Sequence, residues 1–197
     1  MKRIIPLTFC ATLFAAIISL GLSGCVIVNP TDFNTVSGKG NPEKYVLRVG
    51  EYNGIRIEAY CEILYYSAAN DTVILEVQPN LRDYFVVEVI DNELIVRTTR
   101  RISYGSGKTP VLTVSTPVLN RLDIEGAATF TAYDKISGDS FTLGLTGAGK
   151  SKAEVDVGNL HVYISGAGNL ELSGLADIVK LDLSGAGELN ALSLQSR

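Results

Sequence analysis

The chain is poor in the residues from which most active sites are built. It has one histidine, His161, and three cysteines, Cys10, Cys25 and Cys61. With one imidazole and so few thiols, no Ser-His-Asp, Cys-His or zinc cluster can be assembled. His161 alternates with Leu160 and Val162, so it is expected on the outward side of a strand as a surface histidine. Positive charge is also in deficit: 17 Lys and Arg stand against 21 Asp and Glu, for a net charge of −4. That balance gives no electrostatic case for binding nucleic acid. No stretch carries a long 3.6-residue apolar period with end caps, which excludes a helical body.

What is present begins with an export signal. Lys2 and Arg3 precede an uncharged, mostly apolar run from Ile4 to Leu22. The run ends in Leu22-Ser23-Gly24-Cys25, which resembles the lipobox of bacterial lipoproteins. There, cleavage falls between Gly24 and Cys25, and the thiol of Cys25 carries the lipid. Residues 1–24 are therefore expected to be a signal peptide, and Cys25 a membrane anchor. Cys10 leaves with the signal and Cys25 is acylated, so Cys61 is left alone and no internal disulfide can form. Residues 25–43 include "VIVNPTDFNTVSGKGNPE", with two prolines and two glycines, and are expected to be a tether.

Residues 44–120 read as strand after strand. Ile55, Ile57, Ala59, Cys61 and Ile63 alternate with Arg56, Glu58, Tyr60 and Glu62, at a period of two. Val73-Leu75-Val77 and Phe85-Val87-Val89 follow, and "IDNEL" at 90–94 reads as a tight turn into Leu94-Val96. This half is expected to be a compact antiparallel β unit.

From residue 121 the chain repeats itself. Gly126-Ala127-Ala128 is a variant of Gly147-Ala148-Gly149, Gly166-Ala167-Gly168 and Gly185-Ala186-Gly187. Each is preceded and followed by strand-like alternation, as in Leu160-Val162-Ile164 before and Leu170-Leu172 after. A period near twenty built only of strands predicts stacked coils, each burying its inward side chains against the next. A right-handed parallel β-helix is expected over 121–197. The glycines are read as corner residues with positive φ, and the central alanines as small residues stacked where nothing larger fits. The calcium-binding nonapeptide repeat is a competing use of such glycines. It needs an aspartate where Lys152, Glu171 and Asn190 stand, so no calcium is expected. No cofactor is expected either.

The candidate sites are few. Arg97, Arg100, Arg101 and Lys108, near Tyr104, form a basic cluster that could contact an acidic glycan or a lipid headgroup, or could simply be a solvated hairpin end. Glu154, Asp156, Glu171 and Asp182 lie on coil faces; acids of this kind serve catalysis in pectate-lyase-like β-helices and are elsewhere a solvated surface. Tyr60, Tyr65 and Tyr66 offer rings for sugar stacking or for cross-strand packing. Cys61 lies on the apolar stripe and is expected to be buried and unreactive.

The lipobox, the β-rich half with "PNLRDYFVVEVIDNELIVRT", the segment "VLTVSTPVLNRLDIEGAATF" and the Gly-Ala-Gly corners together resemble one family. It is the putative auto-transporter adhesin, head GIN domain family of bacterial lipoproteins, and the likeness runs over about residues 38–197. The resemblance implies a sandwich-like half followed by a β-helix, in an envelope lipoprotein, with no catalytic residues. Family members tend to continue through further coils, whereas this sequence stops at Arg197. That leaves an uncapped last rung, expected either from truncation or from pairing with another chain, as in a homo-oligomer joined at the open end. The expected protein is a lipid-anchored, non-enzymatic, adhesin-like lipoprotein of the outer membrane, on its surface or periplasmic side, with a glycan or protein partner. A carbohydrate-active β-helix enzyme and an envelope scaffold or sensor are the alternatives.

Overall fold

The computed structural model describes residues 35–69, 72–105 and 108–196. The signal segment 1–24, Cys25 and most of the tether lie outside the described residues. The elements, in order, are β1 (Val36–Ser37), β2 (Glu43–Arg48), β3 (Gly54–Ile57), β4 (Glu62–Tyr66) and β5 (Thr72–Val77). A 3-10 turn, Pro79–Tyr84, leads to β6 (Phe85–Ile90), β7 (Glu93–Thr98), β8 (Ile102–Ser103), β9 (Val111–Ser115) and β10 (Arg121–Ile124). The chain ends with β11 (Thr129–Ala132), β12 (Ile136–Leu145), β13 (Lys150–Ile164), β14 (Asn169–Leu183) and β15 (Glu188–Ser196). The protein is all-β, as the alternation predicts.

The strands form two ladders that share one core. The first runs β6-β7-β3-β10-β12-β13-β14, and the second β2-β5-β9-β4-β11-β13-β14-β15. β13 and β14 are long enough to belong to both. Ser151 of β13 pairs with Phe130 and Leu170 in one ladder, while Leu160 pairs with Phe141 and Val179 in the other. The 19-residue spacing read in the sequence is the pairing register itself, as in Lys150↔Asn169 and His161↔Lys180. Side chains in register then stack in columns. Leu94, Ile55, Leu122, Leu143 and Val162 make one such column, and all are fully buried. Each burial contributes roughly 1.5–3 kcal/mol, which holds the described residues together with no disulfide among them.

The expected antiparallel half is corrected here. β3 pairs in parallel with β7 and β10, and β4 pairs in parallel with β9 and β11. Among the described residues, antiparallel pairing is confined to β2–β5, β5–β9 and β6–β7. The physical reason is that Ile57-Glu58-Ala59-Tyr60-Cys61 is itself a corner, matching Ile124-Glu125-Gly126-Ala127-Ala128. The amides of Glu125 and Gly126 both donate to the carbonyl of Ile57. The stack is also out of sequence order: 54–66 lies between 93–115 and 121–132. At the outer end, β2, β5 and β6 close the stack, with Leu81 of the 3-10 turn fully buried. The β6–β7 turn follows expectation: Asp91 and Asn92 take φ of 52° and 63°, the pair of left-handed residues that a tight two-residue hairpin requires.

The reading of the corners is corrected as well. None of the Gly-Ala-Gly glycines has positive φ. They are glycine because successive coils approach backbone to backbone. A Cβ on Gly147 would collide with the carbonyl oxygen of Gly126, one on Gly166 with that of Gly147, and one on Gly185 with that of Gly166. At each step the carbonyl before the corner accepts two amides from the next coil. Ile124 accepts from Thr146 and Gly147, Leu145 from Ser165 and Gly166, and Ile164 from Ser184 and Gly185. The central Ala127, Ala148, Ala167 and Ala186 are exposed on the outer rim and are not packed in a crowded interior.

Candidate functional site

The outward side of the first ladder carries two rows of polar side chains set by the same register. One row is Glu93, Gly54, Arg121, Thr142, His161 and Lys180. The other includes Arg56, Asp123, Gly144, Tyr163 and Asp182. Outward alternation on a parallel strand puts both rows on one face, a strand spacing of ~4.8 Å apart along each row.

The rows are tied into ion pairs. Arg56 Nη2 lies 2.7 Å from Glu93 Oε2, and Arg121 Nε lies 3.9 Å from the other oxygen of Glu93. Arg121 Nε also donates to Asp123 Oδ2 at 2.6 Å. Asp123 is buried, and its second oxygen accepts from the Tyr163 hydroxyl. Gly144 makes that bond possible: a Cβ there would occupy the space of the Tyr163 hydroxyl. Burial and the bond to Asp123 push the Tyr163 phenol up to about 12. The bond to Asp123 likewise raises the Arg121 guanidinium above its ordinary value. Further along, Asp182 is bonded by Lys180 Nζ at 2.9 Å and His161 Nε2 at 2.7 Å. Those two bonds hold its carboxyl below the usual range.

The platform is held together by ion pairs and hydrogen bonds between its own side chains. Its cations and anions alternate on a stiff sheet, and most are already paired. His161 faces outward as expected, and its partner is a carboxylate. Among the described residues no hydroxyl hydrogen-bonds to its ring, and no group of three or more His, Cys, Asp or Glu could hold a metal ion. A shallow depression of about 350 Å³ borders the platform between Tyr163, Ser165, Asp182 and Ser184. A larger one, about 570 Å³, lies elsewhere, over Tyr52, Asn92 and Thr116.

The other predicted residues are placed as follows. Arg97 is bound to Glu88 at 3.0 Å. Lys108 donates to the carbonyl of Gly40 at 2.8 Å. Arg100 and Arg101 are exposed beside β8. Of the acids, Glu154 pairs with Lys135 at 2.9 Å and Glu171 with Lys152 at 3.0 Å, both on the surface. Tyr65 is buried against Phe130, while Tyr66 stacks on exposed Tyr133 at 5.2 Å, and exposed Tyr60 stacks on Tyr104 at 5.7 Å. Cys61 is buried, and burial pushes its thiol up to about 12. The sequence reading passed over Arg56, Glu93, Arg121, Asp123 and Tyr163. The signal was available: once 142, 161 and 180 are aligned at 19 residues, 144, 163 and 182 fall beside them.

Fold and platform define an all-β protein of mainly parallel stacked strands with an exposed polar face. The family described as "Putative auto-transporter adhesin, head GIN domain" matches residues 51–197, and the chain belongs to that family. Three solved structures share the fold. A putative adhesin from Bacteroides fragilis NCTC 9343 is 20% identical, with a TM-score of 0.73 over 82% of this chain and 75% of its own. A putative lipid binding protein from Parabacteroides distasonis ATCC 8503 is 18% identical, with a TM-score of 0.67 over 83% of this chain and 78% of its own. A putative adhesin from the same organism is 19% identical, with a TM-score of 0.61 over 82% and 77%. No curated protein matches the chain.

Proposed function

We propose that this protein is a lipid-anchored, non-enzymatic lipoprotein of the cell envelope that binds in an adhesin-like way. Its stack would be a right-handed parallel β-helix standing off the outer membrane on the tether that begins at Cys25. The observation that carries the reading is the platform. It spans six parallel strands, its charges are held in a fixed pattern, and among the described residues no nucleophile hydrogen-bonds to His161. An exposed face of paired charges suits a broad glycan or protein surface better than a small substrate enclosed in a cleft. The family's description as an adhesin head, and that of two neighbours as putative adhesins, point the same way. The basic residues Arg100 and Arg101 remain a candidate second contact for an anionic ligand.

Protease shaving of intact cells, beside a fractionation control and a Cys25→Ser variant, tests the proposal. Digestion of the wild type on intact cells is expected, with lipid labelling abolished in Cys25→Ser. Protection until the outer membrane is opened would remove the basis for adhesion and favour a periplasmic scaffold.

A further inference from the structure

The thirteen-stranded sheet does not close. Its path ends in β2 on one side and β6 on the other, and among the described residues neither pairs with anything beyond β5 and β7 respectively. Yet both ends border one groove of about 460 Å³, formed by Val46 and Arg48 of β2, Arg82 of the 3-10 turn, and Phe85, Val87 and Glu88 of β6. From this we infer that the groove takes an extended, acidic peptide segment of a partner protein, added as a strand between β2 and β6.

Two observations support it. The first is two free backbone edges on the same groove. An unpaired strand edge is a row of amides and carbonyls that seeks a partner, and strand addition is how extended peptides commonly satisfy it. The second is charge. Glu88 is neutralised by Arg97, but Arg48 and Arg82 make no ion pair among the described residues, and Arg82 rests on the Tyr45 ring at 5.8 Å. On a chain of net charge −4 this groove is locally cationic. Apolar Val46, two-thirds exposed, and Val87 line it for alternate apolar side chains.

The test uses the full chain and a synthetic hexapeptide alternating Asp and Val, with a Lys-Val hexapeptide as its charge-reversed control. Fluorescence anisotropy gives affinity, and amide hydrogen exchange gives location. Binding of the acidic peptide, with slowed exchange in both 43–48 and 85–90, is expected. Arg48→Glu, an exposed change that leaves the fold intact, should weaken it about tenfold or more. Lys152→Glu, five strands away on β13, should not. Absence of binding, equal binding of the Lys-Val peptide, or affinity unchanged by Arg48→Glu would each overturn the proposal. So would protection of both edges before peptide is added: if it rises with protein concentration the groove belongs to a second copy, and if it vanishes on deleting residues 26–34 it belongs to the chain's own N-terminal segment.

Discussion

Leu143 and Leu181 hold the same place two rungs apart in one column, with Val162 between them. Leu143 and its neighbour Val162 are wholly buried, while Leu181 is 48% exposed. The pattern extends along the strands. Leu160, Val162 and Ile164 of β13 are at 1%, 0% and 2%, while the partners they face in β14, Val179, Leu181 and Leu183, are at 40%, 48% and 56%. The two regions share alternation, residue type and register. They differ only in having a strand on both sides or on one. In a stack, then, inward orientation comes from the strand's own sequence, but burial comes from the neighbours.

Breaking the backbone contact that sets the rung spacing should have the largest effect. Gly166→Val forces a side chain into the carbonyl of Gly147 and should cost about 3 kcal/mol or more, read as a lowered denaturation midpoint. The comparison itself comes next. Leu143→Ala should cost about 2–5 kcal/mol, whereas Leu181→Ala at the matching place should cost under about 1 kcal/mol. Equal costs in chemical denaturation would mean that the exposed rung is covered in solution.

A smaller effect separates the platform from the rest by pH. The Tyr163 phenol is raised from an ordinary 10.0 to about 12, so the fold favours its neutral form. Its contribution is full below pH 10 and is lost as pH climbs to 12. Tyr163→Phe should be about 1–2 kcal/mol less stable at neutral pH, having lost a hydrogen bond to a carboxylate, and its stability should then fall less steeply between pH 10 and 12. Thermal melts across that range check both parts. The smallest effect belongs to the solvated pair Lys152–Glu171, where Lys152→Ala should shift stability by no more than about 0.5 kcal/mol.

Much of this was legible in the sequence, and unevenly so. Period-two alternation gave the strands, the 19-residue spacing gave the pairing register, and Asp91-Asn92 gave its hairpin turn. The corner at 57–61 stayed hidden because Ala59, Tyr60 and Cys61 stand where later coils have Gly-Ala-Gly. There the coil's neighbours leave room for a Cβ, so composition no longer marks the bend. The role of the corner glycines was misjudged for a related reason. Positive φ is a property of one residue, but close approach belongs to two coils 19 residues apart. The platform was missed because Arg121, Asp123 and Tyr163 meet only through register, across 42 positions of chain.

The out-of-order rung has a consequence in time. As the chain emerges from its N-terminus, residues 54–66 arrive with neither lasting neighbour made. Their partners 93–115 come later and must seat on the outside, and 121–132 later still on the inside. Until then both edges of β3 and β4 are open templates. The coils from 136 onward can each add to the one just formed, with short loops to close. The slow and aggregation-exposed interval of folding therefore falls early, before residue 132 has been delivered, and the repeats that dominate the sequence are the part that assembles last and with least delay.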